Sequence, residues 1–279
     1  MDCPIFKGNR HLLRTFSVER SVHFFVFSIS RRIDQFTIST GVIRTPCQIS
    51  NDASLLAYYP FDSTSVYADN SANLYNGMGS GVSSISDGYF IQALYFSSNT
   101  SFFQAECLPS STVVPVPFSI SLWIKPDNTT MRGGSLVHVS SLQNGSGSCY
   151  DLLSFNANGA LVVQLMQTVT IVNGTEGPII AVNVWTHVAV VFGPSNGLRL
   201  YVNGLLRTAS VGASQGSNGI VDPQFITLGN ISPLGSSASV NCRNGSVPTT
   251  PGAYQGAIDE FRVYNRALDN QEVCVLANI

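Results

Sequence analysis

Trp-Thr-His-Val-Ala-Val-Val-Phe-Gly-Pro-Ser-Asn-Gly-Leu-Arg-Leu-Tyr-Val-Asn-Gly, residues 185–204, is the stretch whose reading decides the fold. Two β-rich runs are separated by Gly193-Pro194-Ser195-Asn196-Gly197, and the second run ends in Asn203-Gly204. Asn and Gly tolerate the two left-handed positions of a type I′ turn, so that pair signals a hairpin into Leu205-Leu206-Arg207. The segment predicts three consecutive antiparallel strands with tight reversals. It carries no catalytic chemistry.

The same patterning extends in both directions. Phe118–Pro126 alternates strictly, with Phe118, Ile120, Leu122 and Ile124 on one face and Ser119, Ser121, Trp123 and Lys125 on the other. That predicts a strand covering a core on one side only. Leu55–Asp62 reads as a first strand stopped by Pro60, followed by a polar loop over 69–77. Further strands are expected at 93–96, 101–105, 135–140, 152–155, 161–167, 168–172, 225–229 and 256–264. The Gly/Ser-rich 229–256 stretch reads as a long loop. Asp269-Asn270-Gln271-Glu272 has capping-box spacing ahead of Val273-Cys274-Val275-Leu276, which predicts a short terminal helix. Many short strands without a long amphipathic helix predict an all-β fold, a two-sheet antiparallel jelly-roll sandwich.

Composition agrees and excludes one partner class. Hydrophobic residues make up 44% of the 279, enough for a sizeable core, while 11% are charged, against about 25% in an average soluble domain. Residues 1–50 hold seven of the 14 Lys+Arg and three of the 16 Asp+Glu, a net of +4, so the remainder carries −6. A mildly acidic domain without a basic stripe argues against nucleic acid. Residues 1–51 are read as an amino-terminal extension, poorly defined or partly disordered, and 52–279 as the jelly-roll domain. The run Val22–Ile29 is flanked by Arg20 and Arg31-Arg32 and contains His23. It does not make a signal peptide and is too short to span a bilayer. An incomplete amino terminus, the end of an upstream domain and an unconventional anchor all remain open there.

Six cysteines, an even number without a Cys-x-x-Cys pair, do not read as a zinc framework. Six Asn-x-Ser/Thr sequons stand at Asn99, Asn128, Asn144, Asn173, Asn230 and Asn244. Together with the even cysteine count they predict an extracellular or secreted glycoprotein, since disulfides persist in oxidising compartments.

In order, the motifs are Leu-Ala-Tyr-Tyr-Pro-Phe-Asp (56–62), Asp-Asn-Ser-Ala-Asn-Leu-Tyr-Asn-Gly (69–77), Ala-Leu-Tyr-Phe (93–96) and Phe-Ser-Ile-Ser-Leu-Trp-Ile-Lys-Pro (118–126). Trp-Thr-His-Val-Ala-Val-Val-Phe (185–192), Leu-Arg-Leu-Tyr-Val-Asn-Gly (198–204) and Gly-Ala-Ile-Asp-Glu-Phe-Arg-Val-Tyr-Asn-Arg-Ala-Leu (256–268) follow. This succession resembles the laminin-G-like jelly roll of the concanavalin A-like lectin/glucanase superfamily over about residues 52–279. The resemblance implies two curved antiparallel sheets and a non-catalytic extracellular module that binds glycans or proteins, as in adhesion or matrix contact. A structural spacer within a longer secreted protein is an alternative.

The resemblance also implies a calcium loop, with oxygen donors from Asp69, Ser71, Asn73 and Gly77 near Asp259, a donor set suited to a hard cation. Ala72 departs from the glycine common in that loop, and an Asx-rich surface turn is the competing reading. Disulfides Cys149–Cys242 and Cys47–Cys274 are further implications, the latter because first and last strands are expected to be neighbours. Cys3 and Cys107 are then left over.

Enzyme signals are thin. Gly212-Ala213-Ser214-Gln215-Gly216 fits the string of a nucleophile elbow but lacks the following helix. A retaining glycosidase needs two carboxylates about 5–5.5 Å apart, whereas Asp259 and Glu260 are adjacent and expected on opposite faces of a strand. A glycan-active enzyme, or an accessory module of one, is the alternative on the same fold. His187 is read as an ordinary sheet residue. Trp123 and Trp185 could stack on sugars but are read as core.

Overall fold

The computed structural model describes residues 52–62, 64–106, 116–127, 134–166, 172–210, 224–233, 242 and 245–278. The expected extension 1–51, the Gly-x-Ser-x-Gly string at 212–216 and Cys3, Cys47, Cys107, Asn128 and Asn244 lie outside them.

Strands are β1 (Leu55–Tyr59), β2 (Met78–Ser80), β3 (Val82–Ile85), β4 (Ala93–Phe96), β5 (Phe102–Glu106), β6 (Phe118–Pro126), β7 (Ser135–Ser140) and β8 (Tyr150–Phe155). They continue with β9 (Ala160–Met166), β10 (Val172–Ile179), β11 (Thr186–Gly193), β12 (Gly197–Val202), β13 (Leu205–Ser210), β14 (Phe225–Leu228) and β15 (Gly256–Tyr264). One sheet runs β13-β12-β11-β6-β15-β4-β3, with β1 also on β15; the other runs β10-β9-β8-β7-β14-β5-β2. All the strand pairings are antiparallel. The decisive stretch forms β11 and β12, and Asn203 (φ 52°) and Gly204 (φ 76°) make the left-handed pair that turns into β13.

Between the sheets lies one core, to which β6 gives Ile120, Leu122 and Ile124, β11 gives Val188, Val190 and Phe192, and β15 gives Ile258, Phe261 and Val263. The second face of β6 is buried as well, contrary to the one-sided strand expected: Ser119, Ser121 and Trp123 are all buried. Two covers account for this. At one end the terminal helix α1 (Asn270–Leu276) packs Val273 and Leu276 with Ala189, Val191, Tyr201 and Tyr264, each fully buried aliphatic side chain being worth about 1.5–3 kcal/mol. The helix starts at the expected capping box: Asp269 accepts from the Glu272 amide, and the Glu272 carboxylate accepts from the Asp269 amide. Arg266 ties it down by donating to Asp52 and Glu272. At the other end the β3–β4 connection folds over the sheet.

Two local features were not expected. The strand expected at 168–172 falls largely on residues outside the described set, while β10 occupies 172–179, a stretch with Gly174, Gly177 and Pro178 for which no strand was expected beyond 172. It persists as an edge strand pairing only with β9, a place where Pro is tolerated. A Cβ on Gly177 would lie 2.4 Å from Leu200 Cδ2, so the glycine allows close packing. The short strands β2 and β3 were not expected, because Met78-Gly79-Ser80 and Val82–Ile85 lack a strong β pattern.

Candidate binding site

β15 changes neighbours along its outer edge. Gly256–Ile258 pairs with β4 and Phe261–Tyr264 with β1. Between them the register to β6 shifts, and Glu260 takes a left-handed backbone (φ 55°). This bulge overturns the expectation that Asp259 and Glu260 sit on opposite faces by simple alternation, because an extra residue breaks the period of two. Both side chains are buried.

The β3–β4 connection docks on this gap. Phe90 N–H donates to Asp259 Oδ2 (2.9 Å), and Gln92 N–H donates to Asp62 Oδ1 (2.8 Å), just beyond β1. Asp259 Oδ1 accepts from the Glu260 amide (2.8 Å). Glu260 accepts from Tyr58 Oη (3.0 Å) and from Arg262, whose guanidinium lies 4.1 Å from the Tyr58 ring centre. Phe61 (φ 58°), Ile91 (φ 66°) and Glu260 are all left-handed, so three of the six such non-glycine residues described crowd here. Such positions cost about 1–3 kcal/mol each and gather at ligand clamps and switches.

Burial governs the charges. Desolvation first, then the neighbouring Glu260 and Asp62, pushes the Asp259 carboxyl up to about 8. Burial, with a contribution from Glu260, pushes Asp62 up to about 6. His187 is buried opposite Trp123 and hydrogen-bonded through Nε2 to Ser121 Oγ (2.8 Å). Burial, and then the Arg262 charge, brings its pKa down to about 3, so it is neutral. It is a sheet residue held in the wall of the site.

Above this row lies an aromatic layer. Asp259, Trp123 and His187 are in register across β15, β6 and β11. Tyr89 stacks on Trp123 (centroids 3.4 Å, planes 11° apart) and meets Trp185 edge-on at 6.4 Å. Lys125 Nζ is 5.9 Å from the Trp185 ring centre and 2.6 Å from Asp87 Oδ2. Neither tryptophan lies in the core between the sheets. Trp123 is buried under Tyr89, while Trp185 is half-buried. The turn leaves Phe90 54% and Ile91 56% exposed, with Val184 at 52% beside Trp185. The layer therefore presents apolar and aromatic surface beside a cation, on a backbone held at both ends by carboxylates.

The expected calcium residues are placed differently. Asp69 is buried, and its Oδ1 accepts from the Tyr58 and Ser71 amides, its Oδ2 from Ser71 Oγ and the Tyr75 amide. Four donors occupy the roughly four lone-pair positions of a carboxylate. Asn73 directs Nδ2, a donor, at the Leu55 and Leu56 carbonyls. Gly77 donates its N–H to Tyr67 O, and a Cβ there would lie 2.4 Å from the Phe103 ring. Asp259 spends its oxygens on Phe90 and Glu260. So arranged, every carboxylate oxygen of Asp69 and Asp259 already accepts from protein donors, and Asp69, Ser71 and Asn73 brace β1, an arrangement that fits a calcium ion poorly.

Cys149 and Cys242 are joined, 93 residues apart in sequence. Cys274 on α1 is disulfide-bonded, and its expected partner Cys47 lies outside the described residues. Among the sequons, Asn99 is exposed, and Asn144 and Asn173 are partly so. Asn230 departs from the expectation, since it is buried and its Nδ2, the atom a glycan would occupy, donates to Asn99 O at 2.8 Å. Sequence reasoning missed Asp62, Tyr58, Tyr89, Phe90 and Arg262. The one local signal was Asp87-Gly88 ahead of Tyr89-Phe90-Ile91, a turn carrying three consecutive large apolar residues. Among the described residues no helix is long and apolar enough to cross a membrane.

Domain 4 of AbnA, an extracellular arabinanase of Geobacillus stearothermophilus solved with arabinotriose, matches with TM-score 0.51 and 20% identity over 80% of this chain and 98% of that one. The binding domain of Paraclostridial Mosquitocidal Protein 1 matches with TM-score 0.57 and 19% identity, covering 81% of this chain and 52% of that one. The ligand-binding domain of botulinum neurotoxin serotype D, solved with N-acetylneuraminic acid, matches with TM-score 0.54 and 15% identity, covering 80% and 50%. The chain thus spans about half the length of the two toxin domains, and at these identities the likeness is one of fold. No curated protein sequence matches. A laminin-G model described as concanavalin A-like lectin/glucanases superfamily matches residues 98–274. That is well over half of the chain, which therefore belongs to the concanavalin A-like lectin/glucanases superfamily.

Proposed function

We propose that this domain is an extracellular, non-catalytic module that binds glycans at the Tyr89–Trp185 surface, as in adhesion or matrix contact. The observation that carries the reading is the exposed Phe90-Ile91 turn, pinned by Asp62 and Asp259 and continuous with Tyr89, Trp185 and Lys125. Sugar rings offer C–H faces to aromatic side chains and hydroxyls to flanking polar groups. A platform rigid before binding loses little entropy on capture. Two of the similar structures were solved with a saccharide, arabinotriose and N-acetylneuraminic acid, which supports a glycan as the ligand class. The Cys149–Cys242 disulfide and the exposed sequon at Asn99 support an extracellular setting.

A glycan array and immobilised matrix proteins, probed with wild type and with Phe90→Ala and Trp185→Ala, test the reading. The expected result is binding to a restricted set of glycans, weakened about tenfold by either substitution, the equivalent of about 1.4 kcal/mol. Phe90→Ala should keep the wild-type melting temperature. An array without binding, or binding indifferent to both substitutions, overturns the assignment, and binding confined to matrix proteins replaces the glycan with a protein ligand.

A glycan-active enzyme is the second reading, favoured by two neighbouring carboxyls raised to about 6 and about 8. Against it, Asp259 is fully buried and both its oxygens are engaged by backbone amides. Hydrolysis of a polysaccharide by wild type, lost in Glu260→Gln, would replace the binding module with the enzyme.

A further inference from the structure

On the opposite sheet, the segment 141–148 folds back between β7 and β8, and beneath it lies His138. The ring is fully buried, in register between Thr227 of β14 and Asp151 of β8. Its Nδ1 stands 3.0 Å from Asp151 Oδ1, an oxygen that also accepts from Ser135 Oγ at 2.7 Å. That orients the imidazole so that Nε2 faces the Cys149–Cys242 pair, 3.8 Å from Cys242 Sγ. His138 Nε2 and both sulfurs lie within 4.8 Å of one another. Among the described residues this is the one group of three or more His, Cys, Asp or Glu side chains so converged.

We propose that, when the Cys149–Cys242 disulfide is reduced, His138, Cys149 and Cys242 form a binding site for a thiophilic divalent cation of the Zn²⁺ class. Zinc–sulfur bonds of about 2.3 Å and zinc–nitrogen bonds of about 2.0–2.1 Å place adjacent tetrahedral ligands about 3.6 Å apart. The separation of Nε2 from Cys242 Sγ, 3.8 Å, is already close to that edge, and the site closes as the sulfurs part from bonding distance and Cys149 Sγ, within 4.8 Å, settles at the third corner. The carboxylate behind Nδ1 is the partner that metal-bound histidines use to fix tautomer and direction. The Gly145 carbonyl, 2.9 Å from Nε2 and 3.5 Å from Cys242 Sγ, stands at the remaining side as an oxygen donor.

The chemistry balances with an external thiol as reductant. Two thiol equivalents supply two electrons, the protein S–S bond breaks, their own disulfide forms, and their two protons pass to Cys149 and Cys242. The cation then displaces both thiol protons to solvent, and Nε2, giving up the proton it donates to the Gly145 carbonyl and leaving the ring protonated at Nδ1 towards Asp151, takes the cation. Disulfide and metal are thus two alternative ties between the start of β8 and Cys242, one for oxidising and one for reducing surroundings.

The test uses the full chain, reduced anaerobically with a phosphine and titrated with Co²⁺ as the probe. The expected result is one tetrahedral cobalt per chain with a thiolate charge-transfer band, displaced by Zn²⁺ and absent from the oxidised protein. A Cys149→Ala/Cys242→Ala variant keeps the other four cysteines and should lose the band, while Asp151→Asn should weaken binding about 10- to 100-fold. Zn²⁺ should also raise the melting temperature of the reduced wild type, a readout that needs no variant to fold. A band that persists in the double variant, or a reduced protein whose melting temperature ignores Zn²⁺, overturns the proposal.

Discussion

Replacing Asp62 by asparagine should stabilise the domain in alkali and leave it unchanged in acid. Asp62 Oδ1 accepts from Gln92 N–H, a bond that an asparagine carbonyl retains, so the substitution removes charge with little loss of geometry. The folded carboxyl titrates at about 6 against 3.8 when unconstrained, so the folded state holds this proton more tightly than the unfolded chain. Stability from the group is therefore fully present below about pH 4 and is lost as pH rises through 6. Two pKa units set a ceiling of about 3 kcal/mol, and screening of this partly solvated side chain halves it to about 1.5 kcal/mol. Removing the charge also relieves Asp259, raised to about 8 partly by Asp62, which extends the effect in the same direction to pH 8. Urea unfolding of wild type and Asp62→Asn at pH 4, 6 and 8 measures it. The stability difference should move by about 1–2 kcal/mol in favour of the variant from pH 4 to pH 8, a few degrees in melting temperature. A variant that loses ground to wild type as pH rises would mean that the ionised Asp62 holds the 90–92 turn, and the account of the site's electrostatics would be wrong.

Ile91→Gly should stabilise by about 1 kcal/mol in thermal melts, since a β-branched side chain at φ 66° is strained and this one is largely exposed; destabilisation would show that the Ile91 side chain packs usefully. Asp269→Ala should cost about 1 kcal/mol through loss of the α1 cap, read as a lower urea midpoint at unchanged slope. Asp69→Ala leaves three buried or part-buried amides without this acceptor and should cost about 3 kcal/mol. Chelator or millimolar Ca²⁺ should leave the wild-type melting temperature in place, and a calcium-dependent rise would show that the 69–77 loop rearranges around a cation.

The fold was legible because its signals are local. Phe118–Pro126 and Gly256–Tyr264 announce themselves by composition and length, and Asn203-Gly204 by the dihedral angles a tight hairpin demands. Asp269 and Glu272 cap a helix through a contact three residues long. Where local preference and tertiary context disagree, the reading failed. β10 contains Gly174, Gly177 and Pro178, each a breaker by itself, yet an edge position asks little of Pro178, and the closeness of Leu200 favours a residue without a side chain at 177. The second face of β6 was misjudged for the same reason. Ser119 and Ser121 look solvent-facing in a strand considered alone, whereas Ser119 Oγ donates to Arg266 O and accepts from the Leu268 amide, and Ser121 meets His187.

The site was less legible because it is assembled at a change of strand partner, a property of topology and not of any segment. Asp259 was noticed and its neighbour Glu260 dismissed on the strength of a two-residue period. That period holds only while the strand keeps its register, and β15 loses its register where β4 ends and β1 begins. The broken period leaves an opening on the sheet edge between β4 and β1. The 90–92 turn docks there by donating its Phe90 and Gln92 amides to the Asp259 and Asp62 carboxylates, at the cost of left-handed backbone at Ile91, and in doing so leaves Phe90 and Ile91 exposed to solvent next to Tyr89. A bulge, two buried acids and an exposed aromatic turn are thus one structural event, and a chain that paired β15 without the bulge would have neither the clamp nor the platform.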